Sequence, residues 1–227
     1  MNEFLYEKET TCPVCQKKFN VTKIKSKGVK VASRDTDFCV YYEGVNPLCY
    51  DPWVCENCGY AAQSDKFETI SGRDIAVIKN QILPKWKKRS FCGERSLDNA
   101  IEAFKMVLIN LQARNAKSSE FAKIALRLAW LYRMKQDEKE IDFLKHALKY
   151  YSEAYEKERF PVEKLDENTC MFMIGELHRR VGNYEDAVRW LSRLISSPDA
   201  RRNPTLMEIA RDQYQLVKDK LGTGSEN

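Results

Sequence analysis

Apolar residues recur with two different periods along this chain, and the change of period predicts two parts. From residue 97 onward, apolar positions return every three or four residues with almost no Gly or Pro inside the runs, as on one face of an α-helix. The pattern predicts six helices, near residues 97–114, 119–135, 138–157, 166–181, 184–196 and 204–221. Before residue 70, the short runs KFNVTKI, GVKVAS and FCVYYEG predict strands. We therefore expect a small β module followed by a helical domain.

The segment between these parts predicts one helix and a boundary. Its apolar positions are amphipathic after Ser71, a suitable N-cap, so we expect a helix near residues 72–83. Pro84 ends or kinks that helix, and a basic stretch follows. The expected domains are a β module at residues 1–70, a helix and basic connector at 71–96, a helical domain at 97–221 and a disordered tail at 222–227.

The helical part contains a repeat-like stretch, TCMFMIGELHRRVGNYEDAVRWLSRLISSP. Gly175, Gly182 and Ala187 have the spacing of a helix pair that packs closely around a tight turn, and Pro198 ends the unit. The stretch resembles the 34-residue tetratricopeptide (TPR) repeat, although His178 stands where that family usually has an aromatic residue. Weaker copies precede it, so the resemblance implies a TPR-like α-solenoid of about three helix pairs. An irregular helical bundle with the same apolar faces is the alternative.

Two Cys-x-x-Cys pairs are the strongest chemical signal in the β module. Cys12-Pro-Val-Cys15 and Cys55-Glu-Asn-Cys58 supply four thiolates, the closed tetrahedral set that structural zinc prefers. The 39 residues between the pairs exceed the roughly 15–20 of a compact zinc ribbon, so they must form a hairpin or loop of their own. A thiol oxidoreductase is the competing interpretation, but no βαβ pattern surrounds either pair. We predict structural zinc on Cys12, Cys15, Cys55 and Cys58.

The other four cysteines leave alternatives open. Cys39 or Cys49 could replace or supplement a zinc ligand, although a lone free Cys is more often a small buried hydrophobic residue. Cys92 and Cys170 lie in the boundary segment and on the apolar side of a predicted helix. We expect both to be packing residues.

The segment RDTDFC, midway between the two Cys pairs, combines acids, a base and a thiol. Two carboxylates beside a thiol could perform acid–base chemistry or hold a second cation. No histidine, phosphate-binding loop or hydrolase pattern accompanies them, so a turn fixed by salt bridges with Arg34 is the simpler interpretation. Aromatic residues follow closely and would be suitable for binding. The candidate binding residues are Arg34, Asp35, Asp37, Cys39, Tyr41 and Tyr42.

Charge and hydropathy limit the classes of partner. The net charge is +5, composed of +4 over residues 1–96 and +1 over residues 97–227, far from the basic stripe typical of nucleic-acid binders. A short basic cluster, PKWKKR, places Trp86 among lysines and keeps nucleic-acid binding as a third hypothesis. No apolar run is long enough to cross a bilayer, and the first residues do not have the pattern of a secretory signal. We therefore expect a cytoplasmic protein with reduced thiols and no membrane partner.

Taken together, CPVC, RDTDFC, YY, NP and CENCGYA, followed by the helical repeat, resemble a bacterial family of uncharacterised proteins defined by a domain of unknown function. The resemblance extends from about residue 9 to about residue 195. It implies a bacterial cytosolic protein with a zinc-ribbon-like N-terminus, TPR-like helices and zinc on the four paired cysteines. It also marks Arg34, Asp35, Asp37 and Cys39 as a signature of unknown role. It supplies no activity, and Cys49 stands where an aromatic residue is expected.

The function expected from these observations is a zinc-stabilised module that binds a protein or peptide on its TPR-like surface, in regulation or assembly. We expect a protein that is not an enzyme, because a zinc ion bound by four thiolates has no open coordination position for a substrate. The alternative is a metal-dependent enzyme with a second site around Arg34–Cys39. Nucleic-acid binding through the zinc module ranks third.

Overall fold

In the computed structural model, which describes residues 2–223, the chain is mainly helical with three small antiparallel sheets in its N-terminal part. The strands pair as three hairpins: β1 (Leu5–Thr11) with β2 (Lys18–Ile24), β3 (Val29–Arg34) with β4 (Val40–Gly44), and β5 (Pro52–Val54) with β6 (Ala61–Gln63). The helices are α1 (Gly72–Gln81), α2 (Leu97–Arg114), α3 (Ser118–Lys135), α4 (Lys139–Lys157), α5 (Glu167–Arg180), α6 (Tyr184–Ser196) and α7 (Pro204–Thr223). The expectation of a mainly helical chain with a small N-terminal β part is confirmed.

The described residues divide into two compact units. The first unit contains residues 2–34, 40–116 and 130–137, and the second contains residues 35–39, 117–129 and 138–223. Residues 35–39, which connect β3 to β4 along the chain, are thus part of the second unit together with most of the helices. The predicted domain boundaries at residues 70 and 96 stay a prediction, because compactness does not test which segment folds alone.

The first unit has a core built around the paired cysteines. Their side chains are surrounded by Phe19, Trp53, Phe67 and Ile78, and the rings of Phe19 and Trp53 lie 5.7 and 5.6 Å from that of Phe67. Helices α1 and α2 pack against each other, and α2 also packs against β5 and β6. The hairpins β1–β2 and β5–β6 therefore share this core with α1 and α2.

The helices of the second unit pack mainly on their neighbours in the chain. Helix α5 contacts α4 and α6, α6 contacts α7, and α5 also contacts α7. Gly175 of α5 faces Leu191 of α6 so closely that a Cβ at this glycine would lie 2.9 Å from the Leu191 side chain. Gly182 has a φ of +85° in the turn between the two helices, a conformation that glycine adopts without strain.

The helix ends observed here lie within about two residues of those predicted, whereas three strands were not foreseen. The strand β1 has the sequence LYEKETT, in which charged residues interrupt the alternation of apolar and polar positions that predicts a strand. The strands β5 and β6 contain only three residues each, too few to show such a pattern. Helix α7 includes Gly222 and Thr223 of the predicted disordered tail, and residues 224–227 lie outside the described part. None of the helices among residues 2–223 combines the length and the apolar character needed to cross a membrane.

Candidate metal centre

The two Cys-x-x-Cys segments have the same backbone conformation. In the first, the Gln16 N–H donates to the Cys12 carbonyl at 2.9 Å, and in the second the Gly59 N–H donates to the Cys55 carbonyl at 2.9 Å. The residue after the second cysteine has a positive φ in both cases, +61° at Gln16 and +74° at Gly59. Each segment is therefore a tight turn that directs its two sulfur atoms to one side.

The two turns bring the four sulfur atoms together. All four Sγ atoms of Cys12, Cys15, Cys55 and Cys58 lie within 4.8 Å of one another. Two of the distances between the turns are 3.6 Å, from the Cys12 Sγ to the Cys58 Sγ, and 3.7 Å, from the Cys15 Sγ to the Cys55 Sγ. Zinc–sulfur bonds of about 2.3 Å place neighbouring sulfurs of a tetrahedron about 3.8 Å apart. The cluster therefore has dimensions that suit a four-coordinate metal ion.

The four sulfur atoms are largely buried and hydrogen-bond to one another. Cys12, Cys55 and Cys58 are fully buried, and Cys15 is half-buried. Hydrogen bonds from the Cys12 and Cys58 thiols lower the pKa of the Cys55 thiol, and N–H groups of Asn57 and Cys58 also donate to its sulfur. The same thiol hydrogen bonds raise the pKa values of Cys12 and Cys58. A cation would replace these shared protons, because metal binding requires thiolates.

The donor set also limits the chemistry of the centre. Four thiolates fill the coordination of a tetrahedral ion, so no position remains for a water molecule or substrate. The cysteines can therefore hold a metal ion that stabilises the fold, whereas a catalytic ion would need an open position.

The basic connector PKWKKR lies against the second turn. The Trp86 indole Nε1–H donates to the Glu56 carbonyl at 2.7 Å, and its ring covers Gly59. Lys88 lies 3.8 Å from the Glu56 carboxylate, and Arg89 pairs with Glu102 at 2.5 Å. Trp86, the residue that suggested stacking on nucleic-acid bases, thus packs against Glu56 and Gly59 of the protein itself.

In the second unit, a buried carboxylate of α5 organises the charges around the RDTDFC segment. Glu176 is fully buried and accepts hydrogen bonds from Arg179 at 2.6 and 2.8 Å and from Arg180 at 2.7 Å. Its hydrogen bond raises the pKa of Arg179. The Thr36 hydroxyl donates to the same carboxylate at 2.5 Å. One carboxylate therefore binds two guanidinium groups and a hydroxyl of the segment.

The two aspartates of RDTDFC share one arginine partner. Arg180 lies 3.3 Å from the Asp35 carboxylate and 3.5 Å from that of Asp37. Asp37 is fully buried and also accepts from the Cys39 N–H at 3.3 Å, while the Asp35 N–H donates to the Cys39 carbonyl at 2.8 Å. The segment is a salt-bridged turn, as the simpler interpretation expected, but its cation is Arg180 and not Arg34.

The other candidate binding residues have different surroundings. Arg34 is exposed at the end of β3 and makes no side-chain ion pair within residues 2–223, and Tyr41 and Tyr42 are half-buried on β4. Phe38 has a φ of +67°, which is rare for a bulky residue, and its ring lies 5.4 Å from that of Phe172 on α5. Arg34, Tyr41 and Tyr42 belong to the first unit, and Asp35, Asp37 and Cys39 belong to the second. A binding role for the six candidates stays a prediction.

The remaining cysteines are outside the sulfur cluster in the described part of the chain. Cys39, Cys49 and Cys170 are buried, and burial raises the pKa of Cys49 to about 11 and that of Cys170 to about 12. Cys92 is half-buried, with its sulfur 3.4 Å from the Thr22 hydroxyl. These surroundings suit neutral packing residues.

Sequence reasoning missed the α5 residues that complete the RDTDFC network. Glu176, Arg179 and Arg180 have i,i+3 and i,i+4 spacing, which was a signal for local ion pairs on one helix face. Nothing local indicated that the face is buried, or that its partners lie about 140 residues earlier. Asn110, whose amide reaches the metal turn, was missed for the same reason.

Comparison with known proteins identifies the family but adds no activity. No curated protein and no solved structure is significantly similar to the chain. A family model described as uncharacterised proteins conserved in bacteria (DUF2225) matches residues 5–217. The resemblance drawn from the motifs is therefore confirmed, and the chain belongs to this bacterial family of unknown function.

Proposed function

We propose that this chain is a zinc-stabilised module that binds a protein or peptide through TPR-like helices, in regulation or assembly. The observation that carries the first half is the group of four sulfur atoms within 4.8 Å, three of them on fully buried residues. Thiolates in a tetrahedral set favour zinc among the divalent ions of the cell. We also propose a cytoplasmic location, where the thiols would stay reduced and free to bind the ion.

The packing of the second unit supports a TPR-like arrangement. In such a repeat, the first helix packs on its partner and on the first helix of the next repeat. Helix α5 packs on α6 and on α7, and Gly175 permits the close approach to Leu191. Helices α5 and α7 then correspond to successive first helices, which line the binding surface of a helical solenoid.

A charged pocket beside α7 is the best candidate for the peptide-binding surface. It has a volume of about 430 Å³, and its walls are formed by Arg201, Pro204, Met207, Glu208, Arg211 and Asp212. Within residues 2–223, the four charged side chains of the pocket make no ion pair with one another or with other groups. Unpaired arginines are well suited to carboxylates, and the two acids suit a basic group. A peptide with alternating charges and aliphatic residues matches this lining.

Peptide binding in this pocket is expected to depend on its arginines. A fluorescein-labelled peptide of repeated Glu-Leu-Lys-Leu serves as the probe, and a peptide with Gln in place of Glu and Lys is the control. Arg211→Ala should weaken binding about tenfold or more, because a charge-assisted hydrogen bond contributes about 1.5–3 kcal/mol. Fluorescence anisotropy measures the dissociation constants.

Arg202→Ala is the matched control for this experiment. Arg202 is an exposed arginine of the same region that pairs with Asp199 at 3.4 Å and does not line the pocket. Equal affinity of the wild type for the charged and uncharged peptides, or equal losses in Arg202→Ala and Arg211→Ala, would contradict binding in this pocket.

The alternative of an enzyme around Arg34–Cys39 has less support. Asp37 and Cys39 are fully buried, and the carboxylates are engaged by Arg180. Asp35→Asn separates the two hypotheses. The binding-module proposal expects a modest loss of stability, because the Asp35 side chain is 36% exposed. If the segment is instead an enzyme site, the Asp35→Asn variant should be as stable as the wild type and lose its catalytic turnover.

A further inference from the structure

The second metal-binding turn, residues 55–60, is held by two side chains that come from outside it. The Trp86 Nε1–H donates to the Glu56 carbonyl at 2.7 Å, and the Asn110 amide donates to the Gly59 carbonyl at 3.1 Å. Trp86 belongs to the connector after α1, and Asn110 belongs to α2. Two distant parts of the first unit thus converge on the backbone of one turn.

Each of these carbonyls belongs to a peptide group whose N–H faces a sulfur atom. The Glu56 carbonyl shares its peptide group with the Asn57 N–H, which donates to the Cys55 sulfur. The Gly59 carbonyl shares its peptide group with the Tyr60 N–H, which donates to the Cys58 sulfur. A hydrogen bond at the carbonyl polarises the peptide group and strengthens its N–H as a donor, since chained hydrogen bonds reinforce one another.

We infer that Trp86 and Asn110 are positioning residues of the metal centre, which act through the Glu56–Asn57 and Gly59–Tyr60 peptide groups on the sulfurs of Cys55 and Cys58. The inference rests on the proposed zinc centre. Removing a residue that hydrogen-bonds to the surroundings of a metal ligand, without binding the metal itself, typically weakens metal affinity about 10- to 100-fold.

The environment of Asn110 supports this role. The residue is fully buried on α2, and its amide also donates to the Met106 carbonyl at 2.8 Å. Its Oδ1 has no hydrogen-bond partner in the described part of the chain. A buried polar atom without a partner is costly, so an apolar residue would serve packing better. What asparagine provides that an apolar residue cannot are the amide N–H groups that donate to the Gly59 and Met106 carbonyls.

The fit between Trp86 and Gly59 supports the role of the tryptophan. Gly59 has a φ of +74°, and a Cβ at this position would lie 2.7 Å from the Trp86 ring. The ring therefore lies directly on the turn, where its N–H can reach the Glu56 carbonyl.

The first turn provides an internal comparison. The equivalent carbonyl, that of Pro13, accepts from Gln16, an exposed side chain of the same turn, at 2.8 Å. A flexible exposed side chain holds its partner less firmly than a ring fixed by packing. The second turn is therefore the better organised half of the centre.

Trp86→Phe and Asn110→Leu test the inference in the full-length protein. Zinc affinity is measured by competition with a chromophoric chelator, and each variant should bind zinc about 10- to 100-fold more weakly than the wild type. Trp53→Phe is the matched control, because Trp53 is buried in the same core and, among the described residues, its indole N–H donates no hydrogen bond to the turn. It should change the affinity far less than Trp86→Phe.

Cobalt provides a readout that a purely structural role would not change. Hydrogen bonds to thiolates stabilise their lone pairs, so their weakening should shift the sulfur-to-cobalt charge-transfer band of both variants to longer wavelength. Unchanged affinity and an unchanged band in both variants, or equal shifts in Trp53→Phe, would overturn the inference while leaving the zinc centre intact. A wild type that binds neither zinc nor cobalt would overturn the zinc centre itself. Asn110→Asp, which keeps the size of the side chain, replaces Asn110→Leu if that variant fails to fold.

Discussion

Cys55→Ser is expected to abolish zinc binding and to unfold the first unit at temperatures at which the wild type is folded. Cys55 is fully buried, and its sulfur accepts hydrogen bonds from two backbone N–H groups and lies beside the other three ligands. Structural zinc contributes about 10–16 kcal/mol to the folding of small zinc domains, comparable to the whole stability of a typical domain.

The position of the cysteines explains why this loss is so large. The sulfur cluster lies inside the hydrophobic core that joins the hairpins β1–β2 and β5–β6 to α1 and α2. Without the metal ion, the buried sulfurs would only share protons in weak thiol hydrogen bonds, and the two turns would lose the cation that anchors them to each other. Strands as short as β5 and β6 have little stability of their own.

Thermal unfolding and amide hydrogen exchange measure this effect. Exchange in β1, β2, β5 and β6 should become fast in Cys55→Ser and in wild-type protein treated with a strong zinc chelator. Cys92→Ser is the control, because Cys92 is a half-buried thiol of the same unit that is not in the cluster. Slow exchange of these strands in Cys55→Ser would contradict a structural role for the metal.

Arg180→Met is expected to destabilise the second unit by about 3–5 kcal/mol, the cost of breaking a buried ion pair from one side. The arginine side chain is 14% exposed and lies within 3.5 Å of three carboxylates, those of Glu176, Asp35 and Asp37. Its loss leaves Asp37, which is fully buried, without this counter-charge.

The two aspartates should differ in the same experiment. Asp37→Asn should cost clearly more stability than Asp35→Asn, because the Asp37 side chain is fully buried and that of Asp35 is 36% exposed. An ion pair that water can reach contributes about 1 kcal/mol or less.

Urea unfolding followed by the helical circular dichroism signal measures these differences. Arg189→Met is the matched control, since Arg189 pairs with Asp186 on the exposed face of α6. It should change the free energy of unfolding by less than about 0.5 kcal/mol. If Arg180→Met is as stable as the wild type but lacks a biochemical activity, the RDTDFC segment belongs to an enzyme site.

The features that sequence reasoning predicted are mostly local. A Cys-x-x-Cys turn directs two sulfurs to one side within four residues, so the ligand set could be recognised despite the 39 residues between the pairs. Helices α2 to α7 could be placed because their apolar periodicity and caps, such as Ser96 and Asp166, are also local.

The features that it missed depend on distant contacts. Arg180, which pairs with both Asp35 and Asp37, is about 145 residues away, whereas Arg34 is the adjacent residue, so proximity along the chain indicated the wrong cation. Trp86 lies in a basic run that suggested nucleic-acid binding, and only the fold places its indole at the Glu56 carbonyl. The strand β1 depends on pairing with β2, which the composition of LYEKETT did not indicate.

The most direct test of the central claim is the metal content of the purified protein, determined by elemental analysis beside Cys39→Ser and Cys55→Ser. The zinc-stabilised module predicts one zinc per chain in the wild type and in Cys39→Ser, and none in Cys55→Ser. A wild type without zinc, or zinc lost in Cys39→Ser, would contradict a centre formed by Cys12, Cys15, Cys55 and Cys58.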